Sequence, residues 1–236
     1  MSLSLINVII IMKELKSLLS SLDANSTDKD KQVENVFENL ANRLLNDYHI
    51  AKGDEEYYFV NIEFYFCNNN HLDVITYPRA VDGGKWFFHP SGIDLTFKSR
   101  FTPYNGDKML VDTSHDFFFG GILVRDVLRK GDREFFNGPY KCEWELFDIF
   151  DAITPSICDI PRVVRNRMTL GLETSSAVRH FSYDEEKMER KLKELREKVF
   201  IGDIALTDKD FFSFIKEKKY AYSIDREELM LKLSDQ

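Results

Sequence analysis

The chain is expected to fold as a single α+β domain, a mixed sheet flanked by helices with helical additions at both ends. Three observations point there. Its 236 residues and 43% hydrophobic content suit one domain with a substantial core. Apolar residues recur at helical spacing in some stretches and crowd into β-branched and aromatic runs in others. No internal repeat or low-complexity linker divides the chain.

Taken in order, Met12 to Leu22 reads as a short helix through Leu15, Leu18, Leu19 and Leu22, and polar Asp23 to Lys31 as a loop. Val33, Val36, Phe37, Leu40, Ala41, Leu44 and Leu45 mark the buried stripe of a strong helix. Tyr57 to Cys67 is a strand buried on both faces or nearly so, ended by Asn68-Asn-Asn70. Gly83-Gly84 marks a turn; Gly92 to Phe97, Met109 to Asp112 and Gly120 to Asp126 read as further strands. Gly138-Pro139 breaks the chain before a helix from about Cys142 to Phe150. Thr169 to Leu172 and Val178 to Tyr183 fit late strands. Helices follow over Asp184 to Val199, Asp208 to Lys218 and Asp225 to Leu233, the last with an acidic first turn. The expected organisation is an N-terminal extension and short helix (1–30), a principal domain (31–183) and a charged helical extension packed on it (184–236).

Composition narrows the function. The net charge is -8 and the pI about 5.2, which counts against a broad basic footprint for nucleic acid but leaves room for a local one. Cys67, Cys142 and Cys158 are far apart and odd in number, as in a reduced, cytoplasmic protein. The apolar run Leu5 to Met12 is too short to cross a bilayer and lacks the marks of a leader, so the first eleven residues read as an extension of little consequence. No membrane association is expected. Cys67, His71, Asp73, His89 and His115 are ligand types without ligand spacing, so no metal is expected. Nucleophile-elbow, phosphate-loop and dinucleotide motifs are absent, and no organic cofactor is called for. Aromatics make up 14% of the chain, with 20 Phe, and most of them must be core.

Two residues stand out against that background. Glu63 lies inside a strand, where a charge is costly unless solvated, paired or used. Arg125 ends the apolar run Gly120-Gly-Ile-Leu-Val124 with a guanidinium; a salt bridge to Asp126 or Asp132 is its plain reading.

These residues fall within five ordered blocks: Leu40-Ala-Asn-Arg-Leu-Leu45, Val60-Asn-Ile-Glu-Phe-Tyr65, His89-Pro-Ser-Gly-Ile-Asp-Leu-Thr-Phe97, Gly121-Ile-Leu-Val-Arg-Asp126 and Asn137-Gly-Pro-Tyr-Lys141. Their order and spacing resemble the methylpurine-DNA (alkyladenine) glycosylases. The resemblance spans Leu40 to Phe181 and implies a largely antiparallel, curved sheet that binds damaged double-stranded DNA. It also implies base flipping and monofunctional hydrolysis of the N-glycosidic bond of a 3-methyladenine-type purine, as in base-excision repair. Glu63 would direct the water, and Arg125 would hold it and the nearby phosphate. Tyr65, His71 and Phe97 would form the base pocket. Arg100 (or Phe101) would take the place of the family's intercalating aromatic, whose Tyr-Gly pair is missing here. Lys141, Arg162, Arg165, Arg167 and Arg179 would face DNA. The family's guanine-excluding Asn has no counterpart within Tyr104 to Asp112. The alternative is a non-catalytic module of the same fold that binds DNA or protein. A protein partner could then dock on the seam Met188, Leu192, Leu195 and Val199, although such a seam more often packs on its own domain.

Overall fold

The computed structural model describes residues 13–27, 31–147, 159–181, 184–202 and 216–234. Residues 13–18 form a first helix, α1. It buries Leu15, and the chain that follows buries Leu19 and Leu22. Helix α2 (Gln32–Asp47) buries Val33, Phe37, Leu40, Ala41, Leu44 and Leu45, the stripe its 3.6-residue period defines.

The chain then runs without a loop into β1 (Tyr48–Lys52), which hairpins into the long β2 (Glu55–Asn68). The remaining strands of the main sheet are β3 (His71–Leu72), β4 (Trp86–His89), β5 (Gly92–Thr96), β8 (Phe118–Arg129), β9 (Phe135–Asn137), β10 (Arg162–Arg165), β11 (Ser175–Ala177) and β13 (Ala221–Ser223). Its central order is β10-β1-β2-β8-β5-β4, with every neighbouring pair antiparallel. β13 and β3 extend the β1 side of β2, while β9 pairs with β8. The sheet curls until the Trp86 indole on one edge strand donates to the Pro161 carbonyl beside the opposite edge, at 2.8 Å. A small second sheet joins β6 (Pro103–Tyr104), β7 (Asp107–Asp112) and β12 (Phe200–Ile201), and β12 runs parallel to β7. Together these elements make a single-domain α+β arrangement whose large open sheet is mostly antiparallel.

Alternation along β2 sends Phe64 and Phe66 to one face and Glu63, Tyr65 and Cys67 to the other. The first face meets α2. The Phe37 ring lies 4.7 Å from Phe64 and 6.0 Å from Phe97. The second face is apolar near Cys67, where Phe117, Phe119, Val111, Leu192 and Phe200 cluster, and charged further along at Glu63. Helix α4 (Glu185–Val199), capped by Asp184, contributes Leu192 with Met188 and Val199 to that cluster. Three of the four seam residues thus pack within the chain. Helix α5 (Arg226–Ser234) buries Leu229 and Leu233.

Several expected elements differ. Helix α3 spans Pro139–Phe147 and starts before Cys142, because proline suits a first helical turn and Gly138, at φ 104°, makes the break. Residues 169–172 form no strand; Asn46 bonds that backbone instead, accepting from Leu172 N (2.7 Å) and donating to Leu172 O (3.2 Å). Residues 178–181 form no strand either, and the short strand β11 precedes them. The expected helix at 208–218 falls mostly outside the described residues, as does Cys158.

The glycine pair in β8 admits no side chains. A Cβ on Gly120 would stand 2.2 Å from the Tyr65 carbonyl oxygen, which is backbone and cannot rotate away. Gly120→Ala should therefore cost at least ~1–3 kcal/mol, the range of overpacked cores, read as a lowered urea midpoint. An unchanged midpoint would show that β2 and β8 are not so closely apposed.

Candidate active site

Glu63 sits mid-strand in β2, paired to Leu123 of β8 on one side and Ala221 of β13 on the other, so its backbone is held from both sides. Its side chain is buried. One carboxylate oxygen, Oε2, accepts a hydrogen bond from the Tyr65 hydroxyl at 2.8 Å. The other, Oε1, accepts from the His180 backbone N–H at 2.9 Å. Arg125 Nη1 stands 3.5 Å from the same Oε1. That separation is long for a hydrogen bond but close for opposite charges, so Arg125 supplies field rather than a saturated contact. The arrangement follows from register. Arg125 is the extra residue of β8 at the register shift between Ile62 and Asn61, and its side chain turns to the face Glu63 occupies.

Tyr65 is roofed by a second ion pair. The Arg179 guanidinium lies 4.5 Å from the centre of its ring. It also bonds both oxygens of Asp73, at 2.6 and 3.0 Å, and the Phe64 carbonyl at 3.0 Å. Arg179 and Asp73 are both buried, and such a pair survives only through this dense bonding. Burial, reinforced by the Glu63 charge, pushes the Tyr65 hydroxyl well above its ordinary pKa, so it stays a neutral donor.

A third charged group lies on the same face two strands away. Asp94 of β5 is in register with Leu123 and hence with Glu63. Their Cα atoms are separated by about two strand spacings, ~10 Å. Asp94 accepts from Arg79 Nη1 at 2.6 Å and pairs with His89 Nε2 at 3.0 Å, while the Arg79 guanidinium lies over the Phe87 ring at 4.0 Å. Burial alone would raise the Asp94 carboxyl, but Arg79 and His89 hold it below its usual value. Gly121 makes room for them: a Cβ there would fall 2.8 Å from both Arg79 Nη1 and Asp94 Oδ2.

Helix α3 begins beside Arg125. The Gly138 N–H donates to the Arg125 carbonyl at 3.0 Å and to Asp126 Oδ1 at 2.8 Å, and Cys142 Sγ approaches the same Arg125 carbonyl at 3.2 Å. Pro139 sits so close to Gly92 that a Cβ there would be 2.7 Å from Pro139 Cβ and 3.2 Å from Leu123 Cδ1.

The anticipated site residues thus divide. Glu63, Tyr65 and Arg125 come together on one face. Phe97 and His71 do not join them. Phe97 is fully buried against Phe37 and Phe66, and the His71 ring lies 5.9 Å from Phe66 and 5.7 Å from that of Tyr220. Both belong to the core on the α2 side, because β2 alternation sends their neighbours Phe64 and Phe66 there. Arg179 does not face solvent, since Asp73 holds it inside. Arg100 is exposed at a bridge to Phe118, Lys141 is exposed on the first turn of α3, and Arg162, Arg165 and Arg167 are exposed on and just after the edge strand β10. Asp94, Arg79, His89 and Asp73 were missed as a group. For Asp94 the signal was a charge alternating with Ile93 and Leu95, which marks the face turned from the apolar core. Among the described residues no three His, Cys, Asp or Glu side chains group as metal ligands do. No described helix is long and apolar enough to cross a membrane.

Removing Arg79 leaves a buried carboxylate with only His89 beside it, so Arg79→Met should cost ~3–5 kcal/mol at neutral pH. The sign with pH follows from the depressed folded-state value. Asp94 contributes its stability above the unfolded carboxyl pKa, about 3.9, and loses it as pH falls through the folded value. The deficit of Arg79→Met relative to the parent should accordingly shrink between pH 7 and pH 3 in thermal melts; a deficit independent of pH would disprove the pairing. No family model matches this chain, and no curated protein or solved structure matches it significantly.

Proposed function

We propose that the chain is a monofunctional DNA glycosylase of the methylpurine type, with Glu63 and Arg125 as its hydrolytic pair. One observation carries the reading: a carboxylate in the middle of a buried strand faces a partly exposed arginine 3.5 Å away. A charge buried at that cost is better explained by use than by stability, since apolar replacements of buried pairs are often no less stable.

The chemistry would run as follows. A purine cationic through alkylation, such as 3-methyladenine, is rotated out of the duplex. Water attacks C1′ of the deoxyribose as the C1′–N bond breaks; the bonding electron pair leaves with the base, which departs neutral. Glu63 takes the water proton, and its charge favours the oxocarbenium-like transition state. The Tyr65 hydroxyl, a neutral donor on Oε2, fixes the carboxylate's orientation. Arg125, whose side chain is 18% exposed against 1% for Glu63, is the member that solvent and a phosphate reach first. Segment 178–181 covers Oε1 through the His180 N–H, so access to Glu63 requires that segment to shift. Phe97 and His71 take no part in holding the base. Lys141, Arg162, Arg165 and Arg167 are the exposed cations assigned to DNA, and Arg100 is the candidate wedge.

A second reading rests on the same carboxylate. Both Glu63 oxygens already have protein donors, which fits a structural pair in a non-catalytic DNA- or protein-binding module. Release of 3-methyladenine and hypoxanthine from oligonucleotides separates the two. The enzyme reading expects excision by the parent chain, its loss by a factor of ~10²–10⁴ in Glu63→Gln, and little change in melting temperature. Absence of excision in the parent, or full activity in Glu63→Gln, overturns it. Arg125→Ala should retain the fold and lose ~10²-fold in rate.

A further inference from the structure

Helix α3 turns Cys142 and Leu146 into the core and leaves Tyr140 58% and Trp144 74% exposed, one turn apart on the opposite side. The Tyr140 hydroxyl donates to the Pro90 carbonyl, which ties the helix to the β4–β5 turn. Phe88 of β4, 51% exposed, meets Phe147 edge-on at 5.0 Å and continues the same surface. Among the described residues these three rings are the most exposed aromatic side chains.

We propose that Phe88, Tyr140 and Trp144 form a stacking platform for single-stranded nucleic acid at the border of the Glu63–Arg125 site. The choice of nucleic acid rests in part on the glycosylase reading; the exposure of the rings does not. Local charge favours that occupant over a neutral one. Lys141 is exposed beside Tyr140 at the start of α3. At its other end the exposed Arg162 follows Pro161, the acceptor of the Trp86 indole, whose ring lies 5.6 Å from Phe147. Of the acids on α3, Glu145 is held by Arg129 at 2.6 Å and by the Tyr57 hydroxyl at 2.7 Å, and Glu143 is half-buried. Flat rings flanked by cations offer what an unpaired strand presents: base faces and phosphates. Tyr140 and Trp144 stand about 6 Å apart along the helix axis, so two bases can engage them separately. Gly138, just before α3, bonds the Arg125 carbonyl, so the start of the helix lies beside the strand that carries Arg125.

The test is fluorescence anisotropy of a short labelled oligothymidylate at low salt with the full chain. Trp144→Ala should weaken binding about tenfold, the cost of one lost base stack. Trp144→Phe, which keeps a ring, should restore most of it, and circular dichroism should show both variants folded. The parent should also show quenching of tryptophan emission that Trp144→Ala, retaining only Trp86, does not. No binding by the parent, or equal binding by Trp144→Ala, overturns the proposal, as does Trp144-dependent self-association or vesicle binding without oligonucleotide binding. Excision assayed in parallel keeps the two readings apart: excision with Trp144-independent binding removes only the platform, and Trp144-dependent binding without excision removes only the glycosylase.

Discussion

The long antiparallel pairing of β2 with β8 organises everything else in this molecule. It runs from Tyr57 opposite Arg129 to Asn68 opposite Phe118, with a register irregularity at Asn61. Because side chains alternate, this register decides at once which residues share a face. It sets Glu63 beside Leu123 and brings Arg125 to the same side, while Phe64 and Phe66 point to α2. Gly120 and Gly121 let the pairing close, the first against the Tyr65 backbone and the second against Arg79 and Asp94. A slip of one residue would exchange the aromatic core with the charged face, so the apolar contact of Phe37 with Phe64 and Phe97 also secures the geometry around Glu63.

The charged face repeats one physical solution. Glu63 with Arg125, Asp73 with Arg179 and Asp94 with Arg79 are carboxylates buried or nearly buried against arginines. An arginine can satisfy several acceptors from one planar group, as Arg179 does with Asp73 and the Phe64 carbonyl while covering Tyr65. Two of these pairs are tight and closed. The looser one, Glu63 with Arg125, keeps a partly exposed guanidinium, and this difference sets it apart from the other two.

Helix α3 connects that face to the outside. Its first turn is bonded to Arg125 and Asp126, its body is anchored by Cys142 and Leu146, and its outer side carries Tyr140 and Trp144.

The amphipathic stripe of α2, the crowded apolar content of β2 and the Gly-Pro break before α3 were legible because each is a local pattern within one segment. Glu63 and Arg125 were legible as charges in apolar runs. The pairing of Asn46 with Leu172 and the strands β1, β10 and β13 were not, because their partners lie far along the chain and no local period announces them. His71 and Phe97 show the limit most clearly. Sequence established that they were ring-bearing and near the strand carrying Glu63, whereas their side of the sheet depended on register and on packing against Phe37 and Phe66. Sequence alone thus determined the helices and strands that carry a strong local pattern, and where a charge must find a partner. Tertiary structure decided which partner and which face, because strand pairing and side-chain packing are non-local contacts that no single segment encodes.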